Sequence, residues 1–397
     1  MPWRESSPMS QRFAFIQECL DRKKKIADIC IEFGISEKTG YQTLKRFKES
    51  GLEGLKDRSH AVLQHPFRIT EEVQSRILEL KRAHPQYGAQ LIHDWLVQQE
   101  PDRHWPAASS IGDFLKRRGL VCKRPSRSRN RETVQLNSHL TKATEPNLVW
   151  TADFKGEFRL RAGAGVYCYP LTVMDLKTRF VLCVKALDTT GVREAKREFV
   201  RIFSEYGLPR VIRTDNGVPF AQHNGLGRLG SLGFWWVRLG IKPEHIRPAT
   251  PSENGAHERF HKTLKAAATK PSSSSLRQQQ ERFDEFLIEY NTHRPHRSLL
   301  NRRPPGEFYI TSSRTYPKKL PELTYPDGSE MRLVSSSGAI KWRNRSIILS
   351  TNIMGDHVGI TEAEGDRYSV HYGSLQLGWI MAESGDFKPE VRWTESD

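Results

Sequence analysis

Residues 251–265, PSENGAHERFHKTLK, carry the residue types that chemistry on a phosphodiester would need. Glu258, Lys262 and Lys265 recur at positions i, i+4 and i+7, so on a helix they share one face. The segment predicts a helix that begins near Glu253 and presents one carboxylate beside two cations. That arrangement suits a ligand for a metal ion working on a nucleic-acid backbone.

Two aspartates could complete such a site. Asp153 lies in the strand-like run LVWTADF, and Asp215 ends the short apolar run RVIRTD. If these runs form adjacent parallel strands, the two carboxylates lie side by side and the helix can lay Glu258 across them. Three hard oxygen ligands suit Mg²⁺, with Mn²⁺ as the alternative. Two such ions about 4 Å apart would activate the attacking oxygen and neutralise the leaving one in an in-line displacement.

Each carboxylate has a structural alternative when it is taken alone. An aspartate before Asn-Gly, as at Asp215, usually belongs to a turn. Glu258 could be a surface residue paired with Lys262. Glu253, on the same helix, is a rival third carboxylate. The joint occurrence of Asp153, Asp215 and Glu258 on the elements that can meet, and in the right order, favours the metal site over these alternatives.

The histidines and cysteines predict no zinc site. His293 and His296 flank Pro295, which prevents a regular helical face, so packing or phosphate contact is favoured over metal binding. The five cysteines are odd in number and scattered, without a CxxC pair. We therefore expect buried free thiols and a reducing, cytoplasmic setting.

The charge balance predicts a polyanionic partner. Lys and Arg total 62 against 46 Asp and Glu, which gives a net charge of +16. Nucleic acid and a membrane surface are the two candidates. No window of about 18 apolar residues appears, and the first residues lack the apolar segment of a secretory signal. We therefore expect double-stranded DNA as the partner and no membrane.

The first 60 residues follow the pattern of a helix-turn-helix. The run IADICIEF places apolar residues at i, i+3, i+4 and i+7, Gly34 ends it, and Ser36 can cap the next helix. That helix, residues 36–49, would enter the major groove of DNA. The alternative is a small helical bundle with a solvated basic face. The DNA contacts predicted on this helix are Lys38, Thr39, Gln42, Lys45 and Arg46.

A second helical set and a basic segment follow. Three amphipathic patterns between residues 70 and 119 predict another winged-helix or helix-turn-helix module. From 116 to 131 the chain has eight Lys or Arg and no acid, with a proline and serines that oppose a regular helix. Tracking of DNA phosphates is favoured over an ordinary solvated segment. The contacts predicted there are Arg117, Arg118, Lys123, Arg124, Arg127 and Arg129.

From residue 145 the pattern changes to three strand-like runs followed by alternating helices and strands. This order predicts a mixed α/β sheet with helices on both faces. Of the adjacent Trp235 and Trp236, one is predicted in the core and one on the surface. Six short strand runs near the end predict a small all-β, SH3-like barrel. The predicted domains are 8–58, 66–122, a basic linker at 123–144, 145–312 and 325–385.

Several of these segments resemble one known group. WTADFKG, RTDNG and ENGAHERFHKTLK are similar to the three signature blocks of DDE transposases and integrases. FGISEKTGY, GLEGLKDRS, AHPQYGAQ and EYNTHRPHRSL resemble bacterial insertion-sequence transposases with a helix-turn-helix amino end. The resemblance covers roughly residues 11–310. It implies an α/β ribonuclease-H-like core between the all-α modules and the barrel.

The resemblance also implies a reaction. Asp153, Asp215 and Glu258 would hold the metal ions, Lys262 and Lys265 would contact DNA, and the enzyme would cleave and rejoin DNA ends. Terminal inverted repeats and target DNA would be the substrates of at least a homodimer, acting at the bacterial nucleoid. In departure from retroviral integrases, 42 residues separate the second aspartate from the glutamate, and no His/His/Cys/Cys zinc module precedes the core.

Two rival functions fit part of the pattern. A non-catalytic DNA-binding regulator of the same architecture would be expected to lack at least one of the three acids, and all three are present. A ribonuclease H acting on RNA–DNA hybrids would not need two helix-turn-helix modules ahead of its core. A DNA transposase accounts for both features.

Overall fold

The computed structural model describes residues 7–57, 69–121, 140–161, 165–248 and 250–394. The chain divides into two compact units, Met1–Thr70 and Glu71–Asp397. Within the described ranges, no helix combines the length and apolar character that crossing a membrane requires. Most of the predicted linker lies outside these ranges, as do the predicted DNA contacts Lys123, Arg124, Arg127 and Arg129.

Three helices form the first unit: α1 (Pro8–Leu20), α2 (Ile26–Glu32) and α3 (Glu37–Ser50). Ser36 caps α3 by accepting the Thr39 N–H, as the sequence predicts. A Cβ at Gly40 would lie 2.4 Å from Cys30 Sγ, so only glycine lets α3 pack this closely on α2. The small apolar core comprises Phe15, Ile16, Ile29, Cys30 and Leu55.

The second unit begins with three more helices, α4 (Glu71–Ala83), α5 (Ala89–Gln99) and α6 (Ala108–Arg117). They are the predicted second helical set. Hydrogen bonds join them to the later part of this unit: Tyr87 Oη donates to Glu289 Oε1 at 2.5 Å, and Arg302 Nη1 contacts both carboxylate oxygens of Asp94 at 2.9 and 3.0 Å.

A mixed sheet follows, as the sequence predicts. Its strands are β1 (Val149–Phe154), β2 (Phe158–Arg159), β3 (Tyr167–Asp175), β4 (Val181–Leu187), β5 (Val211–Thr214) and β6 (Lys242–His245). β2, β4 and β1 all pair antiparallel with β3, whereas β1 pairs parallel with β5, and β5 with β6. The two parallel pairings bring together strands that lie far apart in the sequence.

Helices cover both faces of this sheet: α7 (Val192–Tyr206) and α8 (Ser231–Arg238) on one, α9 (Gly255–Ala268) and α10 (Leu276–Thr292) on the other. Successive residues of β3 show the alternation. Val173 packs in a core with Phe199 of α7, and Met174 packs in a core with Phe260 of α9. The side-chain period of two thus gives the sheet two apolar faces.

The prediction that one of Trp235 and Trp236 is exposed is wrong, because both are buried. Their rings pack in the core beside α7, while the neighbouring Phe234 and Val237 of α8 pack in a second core with the carboxy-terminal strands. A helix covered on both sides has no solvent-facing stripe to leave a tryptophan on.

The carboxy-terminal strands are β7 (Glu330–Leu333), β8 (Ala339–Trp342), β9 (Arg345–Ile348), β10 (His357–Ala363), β11 (Arg367–Tyr372), β12 (Leu375–Met381) and β13 (Phe387–Trp393). Five of them form an antiparallel sheet in the order β13-β12-β11-β10-β7, and β8 pairs with β9. All six predicted strand runs are present, and β13 is additional. Across the described residues β7 and β13 stand at opposite edges of the sheet, so closure into an SH3-like barrel stays a prediction.

Candidate active site

The ends of β1 and β5 place two aspartates side by side. Ala152 is the register partner of Thr214 in this parallel pair, so the next residues, Asp153 and Asp215, lie at the same edge of the sheet. Asp215 Oδ1 accepts the Gly217 N–H at 3.0 Å. A Cβ at Gly217 would lie only 3.1 Å from Asp215 Oδ2, so glycine leaves the carboxylate room.

Helix α9 brings the glutamate to the same region. A 3₁₀ turn, Pro251–Asn254, precedes it, so the α-helix begins after Glu253. Glu258 lies in the first turn of α9 and is exposed, and its charge acts on Asp153. Phe260 anchors the helix in the buried core. One face of α9 is thus fixed while its glutamate stays open to solvent.

Burial and crowding raise the pKa of Asp153 to about 7. Desolvation is the largest cause, the charge of Asp215 is the next, and Glu258 adds to the effect, while the Phe154 N–H opposes it. The charges of Asp215 and Glu258 thus act on Asp153, although these three acids do not form a cluster whose ligand atoms all lie within 4.8 Å of one another. Neighbouring carboxylates repel one another when all are ionised. A divalent cation would relieve this repulsion, so the electrostatics of the site fit a metal ion.

Two histidines of α9, His257 and His261, lie beside Asp153, which the sequence analysis did not predict. His261 Nδ1 is 3.9 Å from Asp153 Oδ2. Asp153, His257 and His261 each offer one possible ligand atom, and these three atoms all lie within 4.8 Å of one another. The signal in the sequence was the i, i+4 histidine pair in GAHERFHK, which puts both rings on one face of the helix.

Hydrogen bonds orient both imidazole rings. His257 Nδ1 is 2.8 Å from Thr151 Oγ1, and its Nε2 is 2.6 Å from Thr172 Oγ1. The same Thr172 oxygen is 2.8 Å from His261 Nε2. Burial lowers the pKa of His261 to about 4 and holds that of His257 well below its usual value. Both rings are therefore neutral at neutral pH.

The rival glutamate is engaged elsewhere. Glu253 accepts the Arg247 backbone N–H and its Nε–H, both at 2.8 Å, and its side chain is 4% exposed. The next residue, Asn254, donates its amide to Asp153 Oδ2 at 3.4 Å. Its Oδ1 is buried and has no partner in the described part of the chain, which fits a hydrated cation near the carboxylates. Glu253 therefore holds the loop before α9, and Glu258 is the better candidate ligand.

An arginine-rich cavity of about 830 Å³ lies near α9, between α5 and the segment after α10. Burial, and then the charge of Arg259, lower the pKa of Arg179, whose buried Nη1 has no partner within the described ranges. Excess buried cations of this kind fit phosphate groups. The basic residues lining the cavity are Arg179, Arg259, Arg294, His296, Arg297 and Arg302. His296, for which the sequence favours packing or phosphate contact over metal binding, thus lies among arginines.

The predicted DNA contacts differ in their surroundings. Lys38, Thr39, Gln42 and Lys45 are exposed on α3, whereas Arg46 is half-buried and donates to the Lys56 carbonyl at 2.5 Å. Further along the chain, Arg117 and Arg118 are exposed at the end of α6. Lys262 and Lys265 are exposed on α9. Lys265 lies close enough to Lys155 to contribute, after burial, to lowering the pKa of Lys155.

Comparisons with known protein families identify the regions that carry these features. Models described as integrase core domain match residues 143–251 and 239–305, which together include β1, β5 and α9. Models described as homeodomain-like domain match residues 7–56 and 39–115. The chain carries an integrase core. Homeodomain-like helical domains precede this core.

Proteins similar to this chain include an uncharacterized insertion element IS476 protein of Xanthomonas euvesicatoria, 27% identical over 63% of this chain and 67% of its own length. The Gag-Pol polyprotein of baboon endogenous virus is 24% identical over 53% of this chain and 13% of the polyprotein. The Pol polyprotein of feline endogenous virus ECE1 is 29% identical over 33% and 12%. The chain thus spans two thirds of the insertion element protein and a small part of each polyprotein.

Solved structures that resemble the integrase core and its flanks include two viral examples. The magnesium complex of the HTLV-2 integrase catalytic core domain aligns with 43% of this chain and all of its own, at 16% identity and a TM-score of 0.33. A chain of the simian T-cell lymphotropic virus intasome aligns with 81% of this chain and 99% of its own, at 14% identity and a TM-score of 0.36.

Proposed function

We propose that this protein is a DNA transposase of the DDE type. It binds the terminal inverted repeats of a mobile element, cleaves a phosphodiester bond at the element end, and joins the freed 3′-hydroxyl to target DNA. Two observations support the proposal: Asp153 and Asp215 follow paired strand positions at one edge of the sheet, and the charges of Asp215 and Glu258 both act on Asp153.

The three carboxylates would hold two Mg²⁺ ions, with Mn²⁺ as a substitute, because hard oxygen ligands suit these cations. When bound, such ions activate the attacking oxygen and neutralise charge on the leaving oxygen. The chain itself fixes the ligands in advance. Asp153 and Asp215 are held by paired strands, and Glu258 projects from a helix whose other face is buried. This preorganisation lowers the cost of reaching the transition state.

Basic side chains around the acids would position the DNA end. Lys262 and Lys265 lie one and two turns after Glu258 on exposed parts of α9, and Lys155 follows β1. They contribute charge to phosphate oxygens, which fixes register without reading sequence. The arginine-rich cavity beside Arg259 offers a further phosphate contact.

The helix-turn-helix unit would read the terminal repeat. Its exposed α3 residues Lys38, Thr39, Gln42 and Lys45 are placed to enter a major groove. Joining two element ends requires two such readers, so at least a homodimer would assemble on DNA. The carboxy-terminal strands would close into the SH3-like barrel and serve DNA contact or subunit assembly.

Metal-dependent nicking of a labelled terminal-repeat duplex tests the catalytic proposal. We expect Asp215→Asn to lower the rate in Mg²⁺ on the order of 10³-fold, since a ligand acting in the transition state is lost. Glu253→Gln is the matched control, and it should cut within a few-fold of wild type. Equal rates for Asp215→Asn and wild type would refute the site. A repeat-independent preference for RNA–DNA hybrids would instead support a ribonuclease H.

The reader helix is tested separately. Gln42→Ala and Lys45→Ala should weaken binding to the terminal repeat, while metal-dependent cutting of generic DNA persists. Lys23→Ala, an exposed lysine outside α3, is the control for loss of charge alone. Equal loss of repeat binding and generic cutting would contradict the division of labour. A protein that binds repeats but never cuts them would be a regulator.

A further inference from the structure

One threonine hydroxyl fixes the protonation of two histidine rings. Thr172 Oγ1 donates to the Asp153 backbone carbonyl at 2.9 Å and lies 2.6 Å from His257 Nε2 and 2.8 Å from His261 Nε2. A hydroxyl has one hydrogen and two lone pairs. The carbonyl oxygen can only accept, so it takes the hydrogen. Both imidazole Nε2 atoms must therefore carry a proton and donate to Thr172.

The Nδ1 atom of each neutral ring is then an unprotonated acceptor. In His257 this acceptor is used, because the Thr151 hydroxyl lies 2.8 Å away and the ring is fully buried. In His261 it has no hydrogen-bond donor among the residues that the structure describes. It faces Asp153 Oδ2 at 3.9 Å instead. An ionised carboxylate oxygen and an unprotonated Nδ1 that face each other repel, and a cation between them removes this repulsion.

We propose that His261 Nδ1 is a metal ligand that shares a divalent transition-metal ion with Asp153. This proposal rests on the proposed function and adds a nitrogen donor to its metal site. A metal with ligand distances of about 2.1 Å can bridge a gap of this size. Glu258 precedes His261 by three residues, and Glu-x-x-His is a spacing with which one helix supplies two ligands to a metal centre.

His257 and Thr172 are positioning residues in this arrangement. A histidine that binds a metal through one nitrogen usually donates its other N–H to a nearby acceptor, which fixes the ring and its tautomer. Thr172 is that acceptor for His261, and His257 Nε2 occupies the second lone pair of the same oxygen. Thr172 also donates its hydroxyl hydrogen to the Asp153 backbone carbonyl. The paired strands β1 and β3 therefore position both the His261 ring and the Asp153 carboxylate.

The nitrogen ligand has a consequence for metal choice. Mg²⁺ prefers oxygen ligands, whereas imidazole favours the first-row transition metals. The protein should therefore bind Mn²⁺ more tightly than Mg²⁺, and Co²⁺ more tightly than Mn²⁺. A site built of the three carboxylates alone would show a weaker preference, because its donors are all oxygens.

The test uses the full chain with Mn²⁺ alone, without DNA. Pulsed electron paramagnetic resonance detects ¹⁴N nuclei bonded to Mn²⁺, and a titration gives the Mn²⁺ Kd. We expect the imidazole signal in wild type and its loss in His261→Asn, with the Mn²⁺ Kd raised at least ~10-fold. The Mg²⁺ Kd, measured by competition, should change much less. Thr172→Val, which keeps the His261 ring, should weaken Mn²⁺ binding. His357 is an exposed histidine, and His357→Asn should leave both the nitrogen signal and the Mn²⁺ Kd unchanged.

The outcomes separate this proposal from the proposed function. In one outcome, wild type binds Mn²⁺ without a nitrogen signal and Asp215→Asn no longer binds it. This result would overturn the histidine ligand and leave the carboxylate site intact. A nitrogen signal that survives in His261→Asn would also overturn it, since another histidine would be the ligand. Failure of wild type to bind any Mn²⁺ would overturn both proposals.

Discussion

Strand β5 and the residue after it carry two charged side chains with opposite surroundings. The buried Arg213 donates to Glu244 at 2.9 Å and to the Thr141 carbonyl at 2.5 Å, so its charge is neutralised locally. Two residues later, Asp215 lies beside another carboxylate, Asp153. The first arrangement stabilises the sheet, whereas the second costs stability through repulsion. A protein that keeps such a cost at a sheet edge has a reason outside folding, and cation binding is one.

Helix α9 and the loop before it repeat the contrast. Glu253 is buried against Arg247, and Glu258 is exposed without a lysine or arginine ion pair in the described residues. The two glutamates are five residues apart and chemically identical. Only their partners distinguish a residue that secures a loop from one that can bind a ligand. Four substitutions test this distinction between paired and unpaired acids.

The largest effect is expected from Glu258→Gln. We expect nicking of the terminal-repeat duplex in Mg²⁺ to fall on the order of 10³-fold, because the amide cannot supply a charged oxygen ligand. The midpoint of thermal unfolding should not fall, since the side chain is exposed and makes no ion pair with the residues that the structure describes. Single-turnover cleavage and melting curves measure the two quantities. If Glu258→Gln lost stability and activity together, Glu258 would have a structural role like that of the paired acids.

Glu244→Ala should give the largest loss of stability. Removing one partner leaves Arg213 charged and buried, which costs about 3–5 kcal/mol in the free energy of unfolding. Urea unfolding of the metal-free protein measures this. The double variant Arg213→Met/Glu244→Leu should recover much of the loss, because a packed apolar pair carries no unpaired charge. A cost below ~1 kcal/mol would mean that the buried pair does not hold the sheet.

Asp153→Asn should stabilise the metal-free protein at pH 8 by about 4 kcal/mol, because each pH unit between the two pKa values of Asp153 corresponds to about 1.4 kcal/mol. The raised pKa of Asp153 means that the folded state keeps a proton which the unfolded chain releases, between about pH 4 and about pH 7. The wild-type stability is therefore full below this window and falls as the pH rises through 7. The amide has no such loss, so the two proteins should converge near pH 4. Urea titrations with a chelator at both pH values measure the difference, and a variant less stable than wild type at pH 8 would contradict the crowding.

Glu253→Gln should give the smallest effect. Its partner Arg247 is 40% exposed, so solvent screening limits the loss to about 1 kcal/mol. Cleavage should stay within a few-fold of wild type, because the carboxylate is turned to the loop. The same nicking assay compares it with Glu258→Gln. If Glu253→Gln were the more damaging of the two for cleavage, the identity of the third acid would be reversed.

Much of the architecture could be predicted from local patterns. The capping serine at 36, the alternating strand runs and the short strands after residue 325 depend on neighbours within a few positions of the chain, and the structure contains all of them. The burial of both Trp235 and Trp236 could not be predicted, because it depends on carboxy-terminal strands that pack on α8 from far along the sequence. The final strand, β13, was also missed, since its proline and charged residues mask the alternation.

The candidate site divides in the same way. The sequence alone determined which acids stand at the ends of which elements, because strand and helix periods are local properties. Only the tertiary structure decided which of those acids meet and which are paired, since β1 and β5 become neighbours through packing rather than proximity in the chain. It also decided which nitrogen of His261 faces Asp153. The hydrogen bond that orients the ring is made with Thr172, a residue 89 positions away in the sequence.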